Sequence, residues 1–308
     1  TAWSPKGDAL PFTATASGRA TIYIGQNGKL RAGAAVSGVA NTLRFSPDGA
    51  RLAALVTLGA HKLTGATEAG AALTGEIGAA MDEQRIAVMP VSGGALKPVS
   101  PADTYVYEYG WAPDGKGFAA TAAKGNGDDN WWVAKLVYID GKSGASRVIA
   151  APKTQIDIPR VSPDGKTVAF IGGLMSDWGP VGGDIYTVPL AGGVPVDVTA
   201  GYKGTFKGFA WRGNAILASA LIGDRSAAVS LDPATHATKV LWSAPVSAST
   251  QRFEGTVAFS ADGSSAAAVL SDYNHAPEIA VGKLPRLAPV THENTALPAN
   301  VSVQSVHW

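Results

Sequence analysis

Cysteine is missing from all 308 residues of the sequence. Its absence excludes a structural disulfide, a thiolate metal cluster and a cysteine nucleophile, and leaves cytoplasm and periplasm equally open. Net charge is missing too: 25 Lys and Arg against 24 Asp and Glu give a formal +1. A chain with no basic field lacks the electrostatic footprint of a nucleic-acid binder. Charged residues make up only 16% and hydrophobic ones 46%, so there is ample apolar surface to bury and no charge excess to keep the chain expanded. No run approaches the roughly 18 apolar residues of a membrane-crossing helix, so no membrane span is expected.

The familiar catalytic motifs are also lacking. No G-x-S-x-G nucleophile elbow occurs; Gly141-Lys-Ser-Gly144 comes near it, but position 145 is alanine. Gly165-Lys-Thr167 and Gly141-Lys-Ser143 imitate the end of a phosphate-binding loop. The glycine required five positions earlier is replaced by Arg160 and Leu136, so the amide cradle is incomplete. His61, His236, His275, His292 and His307 form no H-E-x-x-H pair, and spacing supplies no metal site. Neither cofactor nor metal is expected. Asn300-Val-Ser302 matches a short glycosylation pattern with many chance occurrences.

What the sequence does have is repetition. A short stop signal recurs as WSPKG, FSPDG, WAPDG, VSPDG, a worn WRGN and FSADG, with glycines at Gly7, Gly49, Gly115, Gly165, Gly213 and Gly263. Proline fixes one backbone angle of such a turn, aspartate bonds nearby amides, and glycine accepts a positive φ. Short β-forming runs follow each signal, including Arg51–Val56, Gly117–Thr121, Lys166–Ile171 and Ala266–Leu270. Later runs occupy a second position: Thr21–Ile24, Arg85–Met89, Leu136–Ile139, Asp184–Leu190, Ala227–Leu231 and Glu278–Val281. Glycine, serine, threonine and proline interrupt nearly every stretch long enough for a globular helix. About 50 residues per unit is the period of a four-stranded propeller blade. The expectation is an all-β β-propeller with six recognisable blade units closing into a ring; stacked sandwiches are the alternative. Residues 59–82 break the rhythm as a long insertion, read either as a selective loop or as packing without a selective role.

Two loops concentrate chemistry. In Asp128-Asp129-Asn130-Trp131-Trp132, the carboxylates are suited to a peptide amine and the indoles to apolar side chains; the competing account is an acidic loop anchored by its tryptophans. The glycine-rich loop 172–179 offers Asp177 and Trp178, either to a cavity or partner or to packing between blades. Asp128, Asp129, Trp131, Trp132, Asp177 and Trp178 are the candidate substrate-binding residues. No catalytic residue is assigned.

The segments LRFSPDGARLA (43–53), YGWAPDGKGFAA (109–120) and IPRVSPDGKTVAFIGGLMSDWGPVGGDIYTVPLAGG (158–193) resemble the propeller of S9 serine peptidases, the group of prolyl oligopeptidase, dipeptidyl aminopeptidases and acylaminoacyl peptidases. LPANVSVQSVHW (297–308) resembles the crossing from that propeller into its α/β-hydrolase domain. The resemblance implies a propeller over 1–296, a crossing segment over 297–308, and seven blades in an intact protein. It also implies that this chain is a noncatalytic part that gates short peptides for a companion hydrolase domain or separately processed chain. A homo-oligomer is compatible with it. The start at Thr1 fits a removed leader, hence a periplasmic or secreted location, with the cytoplasm as alternative. The other functional reading is a standalone protein-interaction propeller of translocation-associated type. A G-x-S-x-G elbow beyond Trp308 would decide between the two.

Overall fold

The computed structural model describes residues 3–17, 19–60, 82–125, 128–173, 182–249, 257–294, 301 and 306; side chains of 128–130 are not described. The chain divides into two compact units, Thr1–Val168 with Val188–Pro195, and Ala169–Thr187 with Val196–Trp308. The described residues form strands and one short 3₁₀ turn. The fold is an all-β propeller with five blades.

The first sheet has six strands in sequential order: β1 (Ala9–Ala16), β2 (Arg19–Gln26), β3 (Lys29–Phe45), β4 (Arg51–Leu58), β5 (Gln84–Pro90) and β6 (Lys97–Pro98). The second runs β7 (Thr104–Trp111), β8 (Gly117–Lys124), β9 (Lys135–Asp140) and β10 (Ser146–Ala150), and the third β11 (Gln155–Val161), β12 (Thr167–Gly173), β13 (Asp184–Pro189) and β14 (Val196–Asp197). The fourth holds β15 (Thr205–Arg212), β16 (Ala215–Ile222), β17 (Arg225–Leu231) and β18 (Thr238–Ala244). In the fifth, β19 (Ser247–Ala248) and β20 (Ala258–Phe259) both pair with β21 (Ser265–Ser271), followed by β22 (Glu278–Lys283) and β23 (Ala288–Pro289).

Six stop signals therefore do not make six blades, and the expected count of six or seven is corrected to five. The reason lies in β3, which is 17 residues long. Its first half pairs with β2 as far as Ser37, and its second half pairs with β4 from Gly38 onward. The hairpin after the first signal thus joins the second unit in one sheet. Gly38 makes the corner at φ +117, where an added Cβ would lie 2.1 Å from the Thr57 carbonyl oxygen. Only glycine fits both that angle and that approach.

The stop signals fold as local hydrogen-bonded devices. The Ser46, Ser162 and Ser260 hydroxyls donate to Asp48, Asp164 and Asp262. Each aspartate also accepts the amide two residues on, from Ala50, Lys166 and Ser264 at 3.0, 3.1 and 3.0 Å. Glycines 49, 165 and 263 all sit near φ +70. These bonds close within a few residues, so this part of the architecture is visible from sequence.

Burial explains the abundance of alanine. On β4, Leu52, Ala54 and Val56 pack with Ile22 and Met89, while Ala53 and Leu55 pack on the other face with Tyr109 and Phe118. A strand covered on both faces reads as a continuous apolar run rather than an alternation, and small side chains let neighbouring sheets approach. A separate core in the second unit joins Ala228, Trp242, Ala248, Val257, Ala266 and Ala268.

A second repeat, hidden in the sequence, closes three sheets. Ser100, Thr199 and Thr291 follow the two-residue strands β6, β14 and β23. Their hydroxyl oxygens accept the backbone N–H of Ile86, Ile185 and Ile279 at 3.0, 2.9 and 2.9 Å. The side chain replaces a ladder bond where the fourth strand is too short to supply one.

Candidate functional site

Each blade has two dissimilar ends. At one, the stop signals join first and second strands. At the other, second and third strands are joined by connections ranging from residues 223–224 to residues 59–83. Variable loops on a fixed scaffold are where binding residues concentrate. The candidate site is built at this second end, on the connection between β8 and β9.

That connection contains the 3₁₀ turn Asp128–Val133. Trp131 is buried, stacks on Tyr107 with centroids 5.3 Å apart, and its indole Nε1 donates to the Ile156 carbonyl oxygen at 3.2 Å. Tyr107 in turn lies 4.9 Å from Tyr105, giving a ladder of three aromatic side chains. Tyr107 is the extra residue of a bulge in β7, where pairing to β8 skips from Val106 to Glu108. A bulge re-aims the side chain it carries, and this one meets the turn.

The neighbouring Trp132 is left 55% exposed, with Val133 beside it at 66%. Two adjacent tryptophans thus take different positions: the first is held inside and the second is presented to solvent. The side chains of Asp128 and Asp129 lie outside the described residues, as do Asp177 and Trp178. So do 61–81 of the long insertion and, apart from Val301 and Val306, the segment 297–308.

Sequence reasoning missed a carboxylate pair next to this turn. Glu108 and Asp157 both accept the Ile158 N–H, each at 2.8 Å, and Ile158 is held at φ +54. A β-branched residue in the left-handed region is strained, and the two charge-assisted bonds offset that strain. Neither residue lies in a recognisable motif. The only signal available was their position, three or four residues before a stop-signal aromatic or valine.

Outside the turn, Asp103 pairs with Lys124. That ammonium group, followed by the Thr104 hydroxyl, holds the Asp103 carboxyl below the usual carboxylate range. Among the described residues no group of three or more His, Cys, Asp and Glu side chains could hold a metal ion. No helix among them is long and apolar enough to cross a membrane, and they contain no α/β-hydrolase architecture.

The fold defines the class, a five-bladed β-propeller. No family model matches the chain, and no curated protein matches it. Solved structures do share the fold. An oligogalacturonate lyase in complex with manganese aligns with a TM-score of 0.67 at 18% identity, over 91% of this chain and 72% of the lyase. TolB from Acinetobacter baumannii aligns at 0.56 and 15% identity, over 91% of this chain and 64% of TolB. A puromycin-hydrolyzing peptidase of Mycobacterium tuberculosis aligns at 0.63 and 17%, over 94% of this chain but 46% of the peptidase. At these identities the likeness is one of fold, common to peptidase-associated and TolB-like propellers.

Proposed function

We propose that this chain is a protein-interaction propeller that takes extended polypeptide segments at the connection between β8 and β9. The observation that carries the reading is the split between Trp131 and Trp132: a buried indole fixes a short turn that holds a second indole in solvent. A rigidly mounted, exposed tryptophan loses little entropy on binding and is the side chain most enriched at binding hot spots. Val133 extends the apolar contact, and the Asp103 carboxylate just before β7 and the Lys124 ammonium at the end of β8 supply polar groups. The likeness to TolB supports this reading at the level of fold.

The test is selection of unstructured peptides from a displayed library, followed by measured affinity of an enriched peptide. Trp132→Ser is expected to weaken binding by at least about tenfold. Val194→Ser, at an 85% exposed position near the stop-signal end of its sheet, is expected to leave binding unchanged. Equal affinity for the parent and Trp132→Ser chains would sink the reading.

A second reading keeps the propeller as the substrate gate of a serine peptidase whose hydrolase is supplied elsewhere. It is favoured by one observation: this chain aligns almost end to end with less than half of the puromycin-hydrolyzing peptidase. A serine-reactive covalent probe applied to the native complex is expected to label a companion segment and leave this chain unlabelled. Absence of any labelled companion would remove this reading.

A further inference from the structure

We propose that the second compact unit carries a binding site for a small zwitterion, the simplest being a free α-amino acid with an apolar side chain. The site is a cavity of about 450 Å³, within the roughly 300–1,000 Å³ of small-molecule sites. It shares no residue with the Trp132 turn and stands or falls independently of that turn's role.

Lys207 and Asp224 line this cavity. Lys207 is the extra residue of a bulge in β15, where Ala220 pairs with Phe206 and Ser219 pairs with Gly208. This is the position that Tyr107 occupies in β7, two residues before Tyr109 there and two before Phe209 here. Asp224 lies in the tight connection between β16 and β17. Neither side chain has a hydrogen-bond or ion-pair partner among the described residues, and the two do not pair with each other.

Two opposite, unpaired charges in one cavity are complementary to a molecule carrying both. A ligand carboxylate would receive the Lys207 ammonium, and a ligand ammonium would donate to the Asp224 carboxylate. Leu221, Val246 and the 73% exposed Tyr273 supply apolar surface for the side chain. The other carboxylate on the lining, Asp272, is already occupied: it accepts the amides of Asn274 and His275 and the His275 ring nitrogen at 2.8, 2.7 and 2.9 Å. That leaves Asp224 as the group for the amine.

The experiment is calorimetric titration of the 308-residue chain with L-leucine, L-leucinamide and N-acetyl-L-leucine. Leucine is expected to bind with a dissociation constant on the order of 1 mM or tighter. Each derivative, missing one charge, is expected to bind at least about tenfold more weakly. Lys207→Met should reduce leucine to the level of leucinamide without changing leucinamide, and Asp224→Asn should reduce leucine to the level of N-acetylleucine. Unchanged melting temperatures of both variants would show that the fold is intact. The proposal is overturned if leucine gives no saturable heat, if the derivatives bind as well as leucine, or if either variant binds leucine like the parent.

Discussion

The indole N–H of Trp131 donates to the carbonyl oxygen of Ile156, so a connection of the second sheet is pinned to the first strand of the third. Trp131→Ala is expected to destabilise the protein by about 3–5 kcal/mol, combining the lost burial with a cavity beside Tyr107. Trp131→Phe, which keeps the stack and loses the donor, should cost about 1 kcal/mol. Trp132→Ala should stay within about 0.5 kcal/mol of the parent. Urea denaturation of the three variants checks the order.

The corner in β3 makes a sharper forecast. Gly38→Ala combines a strained φ with a clash against the Thr57 backbone, and a loss of at least about 3 kcal/mol is expected. Gly7→Ala, at the milder φ +72 of the left-handed region, meets nothing within 4 Å of the added carbon, so its cost should stay near the left-handed penalty alone, about 1–2 kcal/mol. Paired thermal melts of the two variants make the comparison.

Acid should act through the stop signals. The Asp262 carboxyl is pulled down to about 2, first by the Ser260 hydroxyl and then by the Ser264 amide and hydroxyl. Asp48 and Asp164 are lowered chiefly by Ser46 and Ser162 in the same way. A carboxyl depressed in the folded state contributes stability that is complete above its unfolded value, about 3.9, and is lost as pH falls through the folded one. Ser260→Ala removes the largest cause of the Asp262 shift. The melting temperature of that variant is expected to fall less steeply than the parent's between about pH 4 and pH 2.

The hydroxyl device at the short fourth strands can be tested by shape-conserving changes. Thr199→Val leaves the N–H of fully buried Ile185 without its acceptor, at an expected cost of about 1–3 kcal/mol, whereas Thr199→Ser should lose much less. The same valine at Thr291 should cost less than at Thr199, because Ile279 is 45% exposed and water can replace the hydroxyl. Equilibrium unfolding of the three variants checks this ranking.

These contrasts also show what was legible in the sequence. The turns could be read because their bonds run from Ser162 to Asp164 and from Asp164 to Lys166, within the reach of a motif. The strands after them could be read because β4 and β8 are short apolar runs between turn signals. The blade count could not, since it depends on β3 changing partners at Gly38, a long-range pairing that leaves no local trace. The closing hydroxyls were overlooked because two-residue strands such as Val196–Asp197 are too short to show a period. At the candidate site, the Trp131-Trp132 pair was conspicuous, but which indole is buried depends on Ile156, distant in sequence. Lys207 carried no motif at all, because a bulge is defined only by the strand opposite it.

The stop signals and the variable connections sit at opposite ends of every blade, and this separates inheritance from innovation. Residues such as Ser162 and Asp164 can stay fixed while the 223–224 turn lengthens or the 125–134 segment changes its chemistry, because among the described residues the bonds of the signal close within a few positions of it. The feature by which such chains are recognised is therefore the one least informative about their ligands. Closely matched signals can accompany unrelated specificities, and a new binding edge can be grafted without rewriting the scaffold that presents it.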